Sequence, residues 1–235
     1  MTKTKKMNNN GNGRMSGNGT NNGHSNTNLY NFAAKTPNQK LFIRSIYENI
    51  LTICYGCAGT GKSMCSIGVA CQQLKNSDIN NIVVSKPLIG CDNELGTLPG
   101  TVNERIHPYM YPILEYFEFF LGRNQCSLCL NQSIHLFPIE LIRGHTYHNS
   151  LMILEEAQNC TPKQIKLFMS RIGQNSKIIV IGDNRQSDIQ NNGLQFCIDN
   201  FLNVKDVNVV EFNRGDILRN KIIPDILDIF EKKGV

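Results

Sequence analysis

From Leu29 onward, short runs of consecutive apolar residues alternate with longer stretches in which apolar positions return every three or four residues. Continuous apolar runs bounded by turn residues are the pattern of strands buried on both faces, and the helical spacing is that of elements laid over them. On this reading NQKLFIRSIYENI (38–50) is an amphipathic helix carrying Leu41, Ile43, Ile46 and Ile50 on its apolar side. LTICY is a strand, GCAGTGKS a glycine loop, KSMCSIGVACQQLKN a helix, and NIVVSKP a strand running into a turn. TVNERIHPYMYPILEYFEFFLG is a long helical region interrupted by proline. The stretch from Cys126 to about Tyr147 has no clean period and is expected to form a small hairpin or lid. Strand LMIL follows, then helix TPKQIKLFMSRIG, opened by an N-cap threonine with Pro162 at its first position. Strand KIIVI, the turn GDNRQSD, strand VNVVEF and a C-terminal helix from about Asp216 to Lys233 complete the chain. Such alternation predicts an α/β fold: a mostly parallel sheet with helices on both faces.

The first 28 residues break this pattern. They are Asn and Gly with a few Ser, Thr and Lys, too poor in apolar surface to offset the entropy of ordering, which predicts a disordered tail before a single domain over 29–235. The net charge of +5 belongs to this end of the chain. Lys3, Lys5, Lys6, Arg14, Lys35 and Lys40 precede any acid, and the other 18 of the 24 basic residues face all 19 acids. A basic tail can touch phosphates, but a solvating leader is the plainer expectation. No run has the length of a membrane span and no apolar stretch follows the first lysines, so no membrane partner and a cytoplasmic location are expected. The nine cysteines are odd in number and lie in apolar segments, as reduced core thiols do. Cys126 and Cys129 with His135, His145 and His148 could be read as zinc ligands, but no second CxxC appears and ordinary loop packing is preferred.

Gly56-Cys57-Ala58-Gly59-Thr60-Gly61-Lys62-Ser63 fits G-x-x-x-x-G-K-[ST] at every fixed position, between an expected strand and an expected helix. In such a loop backbone N–H groups curl around phosphate oxygens, the lysine reaches the outer phosphates, and the hydroxyl ligates magnesium. That gives a use to Glu155 and Glu156, two adjacent carboxylates closing the apolar run LMIL. Like charges side by side resist ionisation, and a cation offsets that cost. Glu155 is expected to serve the metal and Glu156 to orient water, with ATP and Mg2+ as ligands.

Four blocks together resemble the PhoH-like family of P-loop ATPases, whose core is similar to the first RecA-like domain of superfamily 1 helicases: TPNQ (36–39), GCAGTGKS (56–63), SKPLIGCDNELGTLPG (85–100), and RGHTYHNSLMILEEAQNCTPKQIKLFMSRIGQNSKIIVIGDNRQSDI (143–189). The resemblance implies that Gln39 reads adenine and that Gln186 senses the terminal phosphate or the attacking water. Asp183 ends a parallel strand on the ligand side. Arg171 and Arg214 are implied as stabilisers of the transferring phosphoryl group, within a subunit or across an interface. Arg143 fits the family pattern without a chemical role. Two positions depart from it: Glu155 stands where aspartate is usual, and Lys86 where arginine is.

Two functions follow. One is an ATPase coupling hydrolysis to action on RNA or another single-stranded nucleic acid as a helicase-like motor. The other is an ATP-binding regulatory or assembly module with negligible turnover. With one RecA-like domain expected in 235 residues, a homo-oligomeric ring would supply the second wall of the cleft. A small-molecule kinase uses the same loop, but the water-orienting glutamate and the GD--Q turn argue against it, and no nuclease domain is expected.

Overall fold

In a computed structural model the described residues are 34–88 and 102–218, with 222, 226 and 229 beyond them; of 102–107 only the backbone is described. The expected disordered tail, most of the block SKPLIGCDNELGTLPG (85–100) and most of the expected C-terminal helix lie outside the described residues.

The elements are α1 (Pro37–Glu48), β1 (Leu51–Gly56), α2 (Lys62–Lys75), β2 (Asn81–Lys86), α3 (Val102–Leu121), α4 (Arg123–Cys129), β3 (Ile134–Pro138), β4 (Ser150–Leu154), α5 (Pro162–Met169), β5 (Lys177–Gly182), α6 (Gly193–Phe201) and β6 (Val207–Phe212). All six strands are parallel, in the order β3-β2-β4-β5-β1-β6. The uniformly apolar strands distribute successive side chains to opposite faces, as the pleat requires. Ile82, Val84, Ile153, Ile179 and Ile181 enter a core shared with Phe42 and Ile46 of α1 and Ile67 of α2. Val83, Met152, Leu154, Ile178 and Val180 enter a second core with Ile165 and Phe168 of α5 and Leu194 of α6. The expected α/β layering is therefore present, with one core on each face of the sheet.

Local chemistry sets the helix boundaries. Thr36 caps α1 by accepting from the Gln39 N–H. Thr161 and Gln164 form a reciprocal capping box at α5, with Pro162 at the first position as expected. Such a cap contributes about 1 kcal/mol.

Several expectations change. The buried side of α1 is Phe42, Ile43 and Ile46 with Gln39 and Ser45, while Leu41 is exposed because packing against the sheet fixed the rotation of the helix; Ile50, also exposed, lies beyond the helix, which ends at Glu48. Helix α3 runs unbroken through Pro108 and Pro112, although each proline removes one backbone donor. The stretch read as a hairpin or lid is α4 followed by β3, and β3 pairs parallel to β2 at the sheet edge. A hairpin is antiparallel by construction, so the α3–α4 crossover replaces it. Helix α6 was not expected; its signals are Asn192, which caps by accepting from the Gln195 N–H, and the spacing of Leu194, Cys197 and Ile198. Asp216, expected to open the last helix, lies in a short helical turn, Arg214–Asp216.

Candidate active site

The strand order creates the site. Strands β1 and β2 are consecutive in the chain but are separated in the sheet by β5 and β4. Open parallel sheets hold ligands at such a point, beyond the carboxyl ends of the strands. The four neighbouring ends deliver Lys86 from β2, Glu155 and Glu156 from β4, Asp183 from β5, and the glycine loop from β1. They line a cavity of about 520 Å³ together with Gln39, Gln186 and Tyr116 of α3. Glu155 is thus on the strand next but one to β1, not on its immediate neighbour.

The glycine loop is held by its own chain and by α1. Gly56 has φ +132°, and a Cβ there would lie 2.0 Å from the Phe212 carbonyl oxygen, so the close approach of β6 requires glycine. Gly61, at φ +89°, would bring a Cβ to 2.8 Å from Gln39 Nε2. The Gln39 amide is used at both ends: Oε1 accepts from the Lys35 N–H at 2.6 Å, and Nε2 donates to the Thr60 carbonyl at 2.8 Å. Lys62 Nζ donates to the Gly56 and Cys57 carbonyls at 2.6 and 2.8 Å. Burial holds this ammonium below the usual lysine pKa, an effect that Asp183 and Glu156, among other groups, oppose. Asp183 Oδ2 accepts from the Ala58 N–H at 3.1 Å and so ties the loop to the end of β5.

Glu155 continues the β4 ladder by donating its N–H to the Ser85 carbonyl at 2.8 Å. Its carboxylate accepts a hydrogen bond from the Ser63 side chain, yet Oε1 is buried with no hydrogen-bond partner. Burial pushes this carboxyl up to about 7. The adjacent Glu156 charge adds to the rise, while the Ser63 bond, Lys86 and Lys62 oppose it. An anionic oxygen in that setting is costly without a compensating charge. The donor set of one hydroxyl and one carboxylate, both hard oxygens, fits a magnesium ion beside a phosphate chain. Lys86 stands near enough to act on Glu155 as a point charge.

Glu156 has φ 52° and ψ 39°, a left-handed backbone uncommon for residues with a side chain. Its carboxylate is held by Gln158, whose Nε2 donates to Glu156 Oε2 at 2.6 Å while its Oε1 accepts from the Asp183 N–H at 3.0 Å. A second tie runs from the Asp188 N–H to Asn159 Oδ1 at 2.7 Å, so the AQN turn and the GDNRQSD loop are joined. Gln186 lies on that loop and lines the cavity.

Sequence reasoning missed Gln158, although the quoted AQN contained it. It also missed Asp216, which is buried and accepts from Thr36 Oγ1 at 2.5 Å, Asn38 Nδ2 at 2.8 Å and the Asn213 N–H at 2.9 Å, anchoring α1 and its glutamine. Arg214 sits in the turn after β6, at the same carboxyl end of the sheet as the loop after β1. Arg171 is not brought to the cavity within one chain. Its carbonyl accepts from the Tyr147 N–H, which places it ahead of β4 and β5, at the amino ends of the central strands, opposite the carboxyl ends that carry the site. Cys126 and Cys129 belong to the core around α2, whereas His135, His145 and His148 line a separate cleft. No helix among the described residues is long and apolar enough to cross a membrane.

This geometry agrees with what the chain is similar to. The PhoH-like protein family matches residues 31–231. A PhoH-like protein of Synechocystis sp. is 32% identical over 203 residues, 85% of this chain and 62% of the relative. A PhoH-like protein of Bacillus subtilis is 30% identical over 204 residues, 85% and 64%. Protein PhoH of Escherichia coli K12 is 32% identical over 195 residues, 80% and 55%. The chain thus spans somewhat more than half the length of these relatives. Among solved structures, the large terminase of a thermophilic bacteriophage is similar in fold at 12% identity, TM-score 0.51, over 82% of this chain and 49% of that one. The bacteriophage HK97 large terminase is similar at 17% identity, TM-score 0.51, over 77% and 39%. With its glycine loop, parallel sheet and family match over most of its length, the chain belongs to the PhoH-like family and has the fold of a nucleotide-binding P-loop ATPase.

Proposed function

We propose that the protein binds ATP with magnesium and hydrolyses it. The observation that carries this reading is Glu155, hydrogen-bonded to Ser63 yet left with one buried oxygen unpaired at the mouth of the glycine loop. Ser63 and Glu155 would hold the metal, which when bound neutralises charge on the outer phosphates. The loop N–H groups from Gly56 to Ser63 take the phosphate oxygens. Lys62 exchanges the Gly56 and Cys57 carbonyls for the outer phosphates. Glu156 orients water toward the terminal phosphorus and accepts its proton as the bond to the leaving oxygen breaks; Gln186 contacts the same phosphate. Gln39 reads adenine by exchanging the Lys35 N–H for N6–H and the Thr60 carbonyl for N7, donor for donor and acceptor for acceptor. Arg214 serves from the same chain, and Arg171 from a neighbouring copy in a ring, since its own cavity lies at the other end of the strands.

We further propose that turnover is coupled to RNA or another single-stranded nucleic acid in the cytoplasm. The alternative, an ATP-binding assembly module with negligible turnover, is favoured by one observation: Lys62 is engaged with the loop's own carbonyls. Phosphate release from ATP with magnesium separates the two. The wild-type protein should release phosphate and Glu156→Gln should retain nucleotide without releasing it. Undiminished release in that variant ends the assignment of Glu156, and no release by either favours the module.

A further inference from the structure

The second cleft of the molecule, about 550 Å³, lies at the sheet edge opposite the glycine loop. Asn81 at the start of β2, His135 and Phe137 on β3, and His145, Tyr147 and His148 on the strap before β4 line it. The Tyr147 ring is the centre of a four-ring cluster. Phe137 is stacked on it at 6.2 Å and 23°, His145 lies tilted at 5.0 Å, and His135 tilted at 6.5 Å.

Among the described residues that line it there is no carboxylate. Three imidazoles invite a metal, but among the described residues no three His, Cys, Asp or Glu are grouped to hold one. His148 Nδ1 accepts from the Gln174 N–H at 3.0 Å, which puts the proton of the neutral ring on Nε2 and makes that nitrogen a donor. One basic residue stands close by in the chain: Arg143 is exposed two residues before His145, while Arg171 meets this strap through its backbone, its carbonyl accepting from the Tyr147 N–H. The Arg171 Nε is buried with no hydrogen-bond partner. Partly exposed aromatic faces, imidazole N–H donors and an exposed arginine two residues along the strap match a flat base attached to an anionic phosphate.

We infer that this cleft binds a base and its phosphate in a single strand of nucleic acid, with the base against the Tyr147 and His145 rings and the phosphate toward His148 and Arg143. The inference specifies the nucleic-acid part of the reading above, and it does not depend on hydrolysis. A free mononucleotide carries the same chemistry, and the two sources differ in that a strand brings several phosphates to the flank that holds Arg143.

The test is fluorescence anisotropy of the full chain with a labelled oligouridylate of about twelve nucleotides, a length within the range that single-strand sites cover. ATP and magnesium are left out. Binding by wild type should be weakened about tenfold in Tyr147→Ala and in His145→Ala, and held within about twofold in Tyr147→Phe, which keeps the ring. His145 is an exposed side chain, so its variant keeps the test open should Tyr147→Ala fail to fold. Lys62→Ala, at the other edge, should bind the strand as wild type does. Failure of wild type to bind, equal affinity in all the ring variants, or a matching loss in Lys62→Ala overturns the inference. Uridine monophosphate competing as well as the strand also overturns it, assigning the cleft to free nucleotides. Phosphate release measured on the same preparations separates this outcome from the fate of the ATPase reading.

Discussion

Gln158 holds Glu156 and the end of β5 with one side-chain amide, donating to Glu156 Oε2 at 2.6 Å and accepting from the Asp183 N–H at 3.0 Å. The orientation of the amide follows from its partners: a backbone N–H requires the oxygen, which leaves the nitrogen for the carboxylate. Gln158 thus positions Glu156, the carboxylate proposed to orient water, and stays outside the lining of the cavity proposed for the nucleotide. Gln158→Ala should lower phosphate release by about 10- to 100-fold while nucleotide affinity stays within about threefold. Steady-state phosphate release beside equilibrium binding of a fluorescent nucleotide measures the two. A loss in affinity equal to the loss in rate would mean that Gln158 supports the loop as a whole.

The Glu155 carboxyl should make stability depend on pH. Its pKa rises from 4.5 to about 7 on folding, so between those values the folded chain keeps a proton that the unfolded chain has lost. Stability therefore falls as pH rises from 4.5 to 7 and levels above it, by about 3 kcal/mol for this group alone. Glu155→Gln removes that contribution. Urea unfolding at pH 5 and pH 8 should show a smaller difference between the two pH values in the variant than in wild type, and a more stable variant at pH 8.

On the proposed reading the same carboxyl would tie metal binding to a proton. Metal at Ser63 and Glu155 requires the ionised form, so affinity for magnesium nucleotide should climb through pH 7 and binding below that pH should release a proton. Calorimetry in buffers of different ionisation heat reads the proton directly. In Glu155→Gln the release should vanish.

Asp216 is a buried carboxylate with three donors on it, one from the cap of α1, one from the residue beside Gln39 and one from the chain after β6. Asp216→Ala strands those donors and should cost about 2–4 kcal/mol, read as a lowered urea midpoint. Nucleotide affinity should fall with it, because Gln39 and Thr60 depend on the seating of α1. Asp216→Asn keeps the shape but turns an acceptor into a donor, and should recover only part of the loss.

Gly56→Ala meets two obstacles at once, a φ of +132° and a carbonyl oxygen 2.0 Å from the new carbon. The neighbour is backbone, which cannot swing away as a side-chain tip can. Loss of about 3 kcal/mol or more is expected, read as a fall in the thermal midpoint, together with loss of nucleotide binding.

What the sequence determined by itself was chemistry carried by near neighbours in the chain. The glycine loop, the capping box at Thr161 and the apolar strands are set by backbone freedom, local hydrogen bonding and period, so they were legible without coordinates. So was the pairing of Ser63 with Glu155, because a phosphate loop creates a need for an acid and LMIL ends in one. The tertiary structure decided what depends on strand order and docking. It set β5 between β1 and β4, turned Leu41 of the expected apolar face outward and ended α1 before Ile50. It made β3 a parallel edge strand, and carried Arg171 to the amino ends of the central strands and into the company of Tyr147. Long-range pairing and the fit of side chains between layers settle such choices, and neither is written in the spacing of residues along one segment. Gln158 and Asp216 escaped notice for that reason: an amide or a carboxylate announces its role only when its partners, many residues away, are beside it.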